Sequence, residues 1–349
     1  MTDTCCLAID AMGGDLGPRL TVSAALATLQ RHPNVRIRLY GDESEVDPVL
    51  HPLLSQFSPS LRARVERIHC TQTVAMEEKP ALALRRKRDS SLWRSIQAVA
   101  DGEAGACISA GNTGALMAMG IAQLGLLPGI ERPAICTAVP TLKGRAWLLD
   151  MGANLDCDAG QLVQFARMAS AMVQVVEGMD RPRVGLLNVG SEQGKGGAVV
   201  QEAAQLLSAD KRINYQGFVE GDGIYGGAVD IVVCDGFVGN VALKAGEGVA
   251  RLIATMLRDS LQSSLVSRFG AWLARPALKG LAARIDPASY NGASLLGLEG
   301  VVVKSHGGAT SEGFAQSLEV AITAIQQQLP KRIAAVLAGY EPMPSNATI

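Results

Sequence analysis

Two loops of this sequence combine closely spaced glycines with carboxylate, hydroxyl and amide side chains. Each follows a short apolar run and precedes a segment with helical character, so backbone N–H groups at a helix start can point into the loop. Such a loop can hold a small anion without a metal ion. The residues that form the pattern are Asp10, Gly13, Gly14, Asp15, Ser109, Gly111, Asn112, Thr113 and Gly114. A plain tight turn in the first loop and ordinary helix capping in the second are the structural alternatives.

A lysine among glycines forms a third candidate. Residues 188–197 read Asn-Val-Gly-Ser-Glu-Gln-Gly-Lys-Gly-Gly. The segment resembles a P-loop, but Val189 and Gly196 stand where that motif needs Gly and Ser or Thr. Lys195 can still bind phosphate or a developing oxyanion, and the alternative is an exposed lysine in a flexible loop.

Two more loops, 235–240 and 304–308, come at the ends of apolar runs, and the second contains Lys304 and His306. His306 could be a general acid or base, or a structural hydrogen bonder. Residues 221–226 match GxGxxG, but an apolar run follows them where the dinucleotide fingerprint requires a helix. The sequence has no GxSxG elbow, no Cys/His arrangement for a covalent acyl-enzyme, and no spacing of acidic or histidine residues that predicts a metal. We therefore expect neither metal nor cofactor.

The elements that position these loops are short apolar runs separated by helix-like stretches. The runs are Cys5–Asp10, Ile37–Tyr40, Ala106–Ser109, Ala146–Asp150, Val184–Asn188, Val229–Asp235 and Val301–Lys304. Small and β-branched residues dominate them, which predicts parallel strands covered by helices on both faces, an α/β fold. Because ligands bind at the carboxyl ends of such strands, the loops are expected to line one pocket. No linker divides residues 1–330, and 331–349 is expected to be a helix end followed by a disordered tail.

Composition excludes several classes of protein. The net charge is −1 and the hydrophobic content is 48%, which suits a large core and argues against a nucleic-acid binder or an integral membrane protein. The longest apolar stretch, 115–127, is shorter than the roughly 20 residues of a spanning helix. The seven cysteines contain no CxxC pair and are expected to be reduced. With no signal-peptide pattern, a cytoplasmic location is expected.

Two surface features go beyond this core. Arg85, Arg86, Lys87 and Arg88 form a run of positive charge, which suits either an acidic partner or an ordinary solvated face. Residues 247–275 have apolar side chains three and four apart, which predicts one long amphipathic helix within an excursion at about 247–290. Dimer or core packing explains its first half. Apolar residues beside arginines suit a membrane surface in its second half, and these are Leu265, Phe269, Trp272 and Leu273.

Together the loops resemble the bacterial phosphate acyltransferase (PlsX) family. The stretches that carry the resemblance are DAMGGD (10–15), RRKRDSS (85–91), CISAGNTGAL (107–116), DMGANLD (150–156), VGLLNVG (184–190), DGFVGNVAL (235–243) and VVVKSHG (301–307). They keep the family's order over residues 5–330. The pattern departs at Gly197, at Asn291 and after Gly307, where the family has other residues.

The resemblance implies an αβα sandwich similar to phosphotransacetylases and isopropylmalate dehydrogenases. It implies transfer of a fatty acyl group from acyl-acyl carrier protein to inorganic phosphate, giving acyl phosphate for phospholipid synthesis. It also implies a homodimer attached reversibly to the membrane, near the downstream membrane acyltransferase. By match to the family's motifs, Lys195 and Asn240 are expected to be catalytic. A nicotinamide-dependent dehydrogenase on a similar fold is the alternative function.

These expectations fit one hypothetical mechanism. The Gly13-Gly14 and 109–114 loops hold phosphate, together with Lys304 and His306. Lys195 and Asn240 stabilise the tetrahedral intermediate and the departing thiolate, while residues 85–88 meet the acidic carrier protein. Phosphate is already a nucleophile and a thioester is already activated, so orientation and oxyanion stabilisation suffice.

Overall fold

Eleven strands join into one mixed sheet in this computed structural model, which describes residues 5–192 and 194–340. The order across the sheet is β3-β2-β1-β4-β11-β10-β5-β6-β9-β7-β8. The strands are β1 (Cys5–Asp10), β2 (Val35–Gly41), β3 (Val65–His69), β4 (Ala106–Ser109), β5 (Ala134–Thr141), β6 (Gly144–Leu149), β7 (Arg183–Leu187), β8 (Asn214–Val219), β9 (Ile231–Val233), β10 (Ala293–Leu296) and β11 (Val301–Lys304).

Thirteen α-helices accompany the sheet within the described ranges. They are α1 (Pro18–Arg31), α2 (Glu43–Leu54), α3 (Pro59–Arg62), α4 (Pro80–Arg86), α5 (Ser91–Ala100), α6 (Thr113–Leu124), α7 (Ala159–Glu177), α8 (Ala198–Ala209), α9 (Gly236–Gln262), α10 (Leu265–Leu273), α11 (Arg275–Ile285), α12 (Ser311–Gln326) and α13 (Leu329–Leu337). The predicted disordered tail at 341–349 lies outside the described residues.

The sheet is covered on both faces, as the alternation of strand side chains requires. Ile108 of β4 and Val303 of β11 contribute to a core formed with α1, α7, α12 and α13. Their neighbours Cys107 and Val302 point to the opposite core, which contains residues of α5 and α6. The predicted αβα arrangement is therefore confirmed.

The predicted parallel strands form two separate parallel groups rather than one continuous parallel sheet. All seven predicted runs contain strands, but β10 and β5 lie between them as an antiparallel pair, and β5 also pairs antiparallel with β6. As a result β1, β4 and β11 run in one direction, whereas β6, β7 and β9 run in the other. The pattern missed β3, β5, β8 and β10, because a strand's direction and neighbours are set by tertiary pairing rather than by its own residues.

The single long helix expected over 247–275 is also wrong. Three helices, α9, α10 and α11, occupy this part of the chain. Ser264 ends the continuity, because its side chain accepts a hydrogen bond from Ser267 N at 3.0 Å and caps α10. Every residue of α10 and α11 is at least partly exposed, so this excursion adds little to the core.

The GxGxxG match at 221–226 forms a short 3-10 helix, Gly223–Tyr225, that leads into β9. This arrangement confirms that the segment lacks the strand–turn–helix context of a dinucleotide fingerprint. All seven cysteines are free, as expected.

Candidate active site

The loops after β1, β4 and β11 converge on a buried carboxylate, Asp10. Ser109 Oγ donates a 2.7 Å hydrogen bond to Asp10 Oδ2, and Gly111 N donates to Ser109 Oγ at 2.9 Å. Asp10 is 2% exposed. Its burial raises its pKa, although hydrogen bonds from Ser109 and the backbone of Met12 oppose that shift. We call residues 10–15, 109–111 and 304–308 the first cluster.

Lys304 joins two loops of the first cluster. Its Nζ donates to Ala110 O at 3.2 Å and also to Ser305 O. Burial lowers the pKa of Lys304 to about 8, while the nearby Asp10 and Asp15 carboxylates act in the opposite direction. A partly buried lysine therefore joins the 109–111 and 304–308 loops, near the Asp10 and Asp15 carboxylates.

The glycines of the first cluster are required by close backbone approach. A Cβ at Gly13 would lie 2.7 Å from both Asp10 Oδ2 and Gly111 N. Gly14 has φ of 87°, and a Cβ there would lie 2.9 Å from Ala110 Cβ and from Gly307 O. Any side chain would separate the loops, so glycine is needed at both positions.

Asn112 has a structural role at the edge of this cluster. Its Oδ1 accepts from Ala115 N at 3.0 Å and caps α6, which confirms the capping alternative. Its Nδ2 donates to the carbonyl oxygens of Ala75, Met76 and Glu78. Thr113 and Gly114 form the first turn of α6, and a Cβ at Gly114 would lie 2.6 Å from Pro80 Cγ. Phosphate binding by these three residues stays a prediction.

Asn291, which the sequence marked only as a departure from the family pattern, supports the last loop of the first cluster. Its Nδ2 donates to Ser305 Oγ at 2.8 Å, and its Oδ1 accepts from His306 N at 3.0 Å. His306 Nδ1 accepts from Gly308 N at 3.1 Å, so one ring nitrogen is used structurally. Asp15 N donates to Gly307 O at 3.0 Å and ties the loop to the first turn.

A second buried carboxylate, Asp150, organises the loops after β6 and β9. It is fully buried and accepts backbone hydrogen bonds from Ile135, Met151, Ala153 and Asn154, as well as one from Asn154 Nδ2. Burial raises its pKa, and these hydrogen bonds oppose the shift. We call residues 150–154 and 235–240, together with residues 188–192 and 194–197 that follow the neighbouring strand β7, the second cluster.

The start of α9 rests on the Asp150 loop and presents Asn240. Gly236 N donates to Asn154 O at 2.7 Å, and a Cβ at Gly236 would lie 2.9 Å from Asp150 Oδ2. The Asn240 side chain lies against Gly152, about 3.5 Å from where a Cβ would stand. Glycine at 152 and 236 therefore lets the helix start approach the loop closely enough to place Asn240 over it.

Lys195 lies on an exposed part of the second cluster. Its Nζ is 2.8 Å from Glu192 Oε1, and its side chain runs across Gly190, where a Cβ would lie 3.1 Å from Nζ. Asn188 Nδ2 donates to Lys195 O at 2.8 Å and holds the loop. The ion pair is half-exposed, so it stabilises the fold weakly and leaves the ammonium group available.

The sequence-predicted residues thus lie in two clusters, because the strands that lead to them run in opposite directions. In a flat sheet, the loops of the first cluster and those of the second cluster would therefore lie at opposite ends of the strands. A sheet twists by roughly 20–25° per strand, so the five steps from β4 to β9 amount to roughly 100–125°. The antiparallel strand pair β10–β5 lies between the two clusters, and residues in or next to it contact both. Ile135 N donates to Asp150 Oδ1, and Asn291 at the start of β10 holds Ser305.

Comparison with known proteins decides the family. The model of the family described as "Fatty acid synthesis protein" matches residues 5–332. The "Phosphate acyltransferase" of Saccharophagus degradans is 50% identical over 338 residues, which is 97% of each chain. The chain belongs to this family, the bacterial phosphate acyltransferase (PlsX) family.

Solved structures show the fold that this family member adopts. A phosphotransacetylase from Streptococcus pyogenes has a TM-score of 0.61 at 16% identity, covering 93% of this chain and 94% of the other. A 4-hydroxythreonine-4-phosphate dehydrogenase from Klebsiella pneumoniae has a TM-score of 0.53 at 15% identity, with coverage of 93% and 99%. The predicted likeness to phosphotransacetylases is confirmed.

The basic run of this family member lies at the end of α4. Arg85, Arg86 and Arg88 are exposed, and Lys87 Nζ is 4.0 Å from Glu78. The Arg88 guanidinium lies 5.5 Å from the Trp93 ring centroid, which fixes its direction. Three of the four charges therefore face solvent.

The apolar face predicted for the membrane is exposed on α10. Leu265 is 81% exposed, and Phe269, Trp272 and Leu273 are each more than 60% exposed. The Phe269 and Trp272 rings stack with centroids 5.9 Å apart. Among the described residues, no helix is both long and apolar enough to cross a membrane. In the same ranges, no three His, Cys, Asp or Glu side chains are grouped as a metal site.

Proposed function

We propose that this chain transfers a fatty acyl group reversibly from acyl-acyl carrier protein to inorganic phosphate and forms acyl phosphate for phospholipid synthesis. The observation that carries the proposal is the 50% identity, over 97% of both chains, to a protein named phosphate acyltransferase. The first cluster supports it, since its glycine turns and buried lysine suit a small anion.

The chemistry needs no covalent intermediate. A phosphate oxygen attacks the thioester carbonyl carbon, the C–S bond breaks, and the carrier leaves as a thiolate that takes up a proton. Held against the Gly13-Gly14 turn and the 109–111 loop, near Lys304, phosphate is oriented and partly freed of water. Such positioning can lower a barrier by roughly 7–11 kcal/mol.

The second cluster is proposed to stabilise the charge that develops on the thioester. The proposed donors are Lys195, in the loop after β7, and Asn240, on α9 after the neighbouring β9. A single well-aimed donor to an oxyanion is worth about 3–4 kcal/mol. This role requires that a substrate span the two clusters, with phosphate at the first and the thioester at the second.

Partners of the reaction are proposed from the surface. The exposed residues Arg85, Arg86 and Arg88 form a dock for the acidic carrier protein. The exposed apolar side chains of α9 are proposed to pair with a second copy in a homodimer. The α10 face is proposed to attach this cytoplasmic enzyme peripherally to the membrane, where the downstream membrane acyltransferase would take up the product.

The test is acyl phosphate formation by the purified full chain from palmitoyl-acyl carrier protein, trapped as the hydroxamate. Formation is expected only with phosphate, and sulfate at equal ionic strength is the control. Release of free carrier thiol without phosphate would instead indicate a thioesterase. Reduction of a nicotinamide cofactor by the same preparation would support the dehydrogenase alternative.

A further inference from the structure

The first turn of α9 is the only part of that helix that is buried, and it rests on the loop at 150–154. Gly236 and Gly239 are the buried residues of α9, and all the others are at least partly exposed. Gly236 N donates to a carbonyl oxygen of this loop at 2.7 Å, and a Cβ at Gly239 would collide with Asp150 O. These contacts fix the position of the next residue, Asn240, relative to the loop.

The carboxylate of Asp150 holds this loop in shape. Its Oδ1 accepts from Met151 N at 2.6 Å, Ile135 N at 2.9 Å and Ala153 N at 3.3 Å, and its Oδ2 accepts from Asn154 N at 2.6 Å and Asn154 Nδ2 at 2.9 Å. Three of these donors are backbone N–H groups of the loop itself, so the chain wraps around the carboxylate. Donors at both oxygens require a carboxylate, because a side-chain amide would turn an NH₂ group toward one set of them.

The loop in turn provides the surface on which the Asn240 side chain lies. Gly152 has φ of 106°, and a Cβ there would lie 3.5 Å from Asn240 Nδ2. Within the described ranges the half-buried Asn240 amide makes no hydrogen bond. Its direction therefore depends on packing against the loop, and its N–H groups remain available to a substrate oxygen.

We propose that Asp150 is a positioning residue for Asn240, and that its hydrogen bonds to the loop hold the Asn240 amide where the oxyanion of the thioester develops. The inference rests on the proposed function, since it explains how one donor of that reaction is aimed. Asp150 is fully buried, so it acts through the loop and not by contact with the substrate. A displacement of about 1 Å in a catalytic group can cost roughly 100-fold in rate.

The first variant is Asp150→Asn, assayed in the full chain with palmitoyl-acyl carrier protein and phosphate. We expect kcat to fall about 10–100-fold, because the Asn240 amide is no longer held at the reacting carbonyl. The KM for phosphate should stay close to the wild-type value, because phosphate is proposed to bind at the first cluster. Thermal melting shows whether the variant is folded.

A double-mutant cycle distinguishes positioning from general support of the fold. Asn240→Ala removes the aimed group and should lower kcat by about 10²–10³. Adding Asp150→Asn to Asn240→Ala should lower kcat no further, because the group that Asp150 aims is already absent. A merely structural role would instead multiply the two losses.

Two further variants complete the test. Gly236→Ala places a Cβ 2.9 Å from Asp150 Oδ2 and moves the helix start while the carboxylate remains. It should give the same kinetic result, and it decides the question if Asp150→Asn does not fold. The matched control is Asp230→Asn, since Asp230 accepts from Arg183 N at 2.8 Å and from its guanidinium at the opposite end of β9. This control should lower the melting temperature and leave kcat unchanged.

The outcomes distinguish the inference from the function on which it rests. Wild-type kcat in folded Asp150→Asn, or multiplied losses in the double variant, would overturn the positioning role while acyl phosphate formation stands. Wild-type kcat in Asn240→Ala would overturn it as well, because Asp150 would then have no donor to aim. Absence of acyl phosphate formation by wild type would reject the proposed function itself.

Discussion

Ser109 donates to Asp10 across two neighbouring strands, and this 2.7 Å hydrogen bond fastens the first cluster. Ser109→Ala removes a donor from a buried carboxylate, so we expect a loss of about 1–3 kcal/mol in the free energy of unfolding. The KM for phosphate should rise, because Gly111 N also loses its acceptor. Urea unfolding and phosphate titration measure the two effects. Ser60→Ala, at an exposed serine, is the control, and wild-type values for both quantities in Ser109→Ala would contradict the prediction.

Lys195→Ala should lower kcat by about 10²–10³ without changing stability. The side chain is half-exposed, so its removal costs little folding free energy, whereas a lost oxyanion donor raises the barrier. Steady-state kinetics and thermal melting provide the measurements. Lys211→Ala removes an exposed lysine from another turn and should leave both kcat and the melting temperature unchanged. Turnover within a few-fold of wild type in Lys195→Ala would remove this lysine from the mechanism.

Lys304 should give the enzyme a pH dependence near pH 8. If its ammonium group binds phosphate, the KM for phosphate rises as the pH passes through its pKa of about 8. Lys304→Met should raise that KM at neutral pH and abolish the inflection. A wild-type profile that is flat from pH 7 to about 9 would contradict the assignment.

Raising the pH should weaken phosphate binding by Lys304 but should increase the contribution of Lys304 to the free energy of unfolding. The pKa of Lys304 is lower in the folded state than the usual lysine value of 10.5, so the unfolded chain binds more protons between these two pH values. The free energy of unfolding therefore rises between about pH 8 and 10.5, by up to roughly 3 kcal/mol for this group. The difference between wild type and Lys304→Met in urea unfolding isolates it, and equal slopes would contradict the shift.

Charge reversal in the basic run should weaken recognition of the carrier protein. Arg86→Glu with Arg88→Glu should raise the KM for acyl-acyl carrier protein about tenfold at low salt, and the effect should shrink as ionic strength rises. Lys331→Glu with Arg332→Glu makes the same change in net charge at another exposed site. Equal KM values in the two double variants would assign residues 85–88 to ordinary surface.

Trp272→Glu should release the protein from anionic vesicles. Trp272 is 64% exposed and stacks on Phe269, so the fold does not depend on it. Replacing an interfacial indole by a carboxylate should reduce vesicle partitioning at least about tenfold. The control is Leu142→Glu, which places the same charge at an exposed leucine outside α10. If Trp272→Glu sediments with vesicles as well as wild type does, α10 does not bind the membrane through this face.

Several features of this protein follow from local sequence. The glycine turns at 13–14 and 111, the cap at Asn112 and all seven apolar runs could be predicted, because turns, caps and strands depend on neighbouring residues. The breaks after α9 and α10 also have local signals, because Ser263-Ser264 and Pro276 are typical of helix starts. The continuous apolar periodicity across these residues nevertheless led to the prediction of one long helix.

Tertiary structure alone decided which loops meet. The antiparallel β10 and β5 reverse the sheet between Lys304 and Asp150, and nothing in either strand's own residues encodes that neighbour. The support of Ser305 and His306 by Asn291 likewise joins positions that the local pattern treats separately. Strand order depends on which apolar faces are buried together across the whole chain, so it emerges only when the core forms.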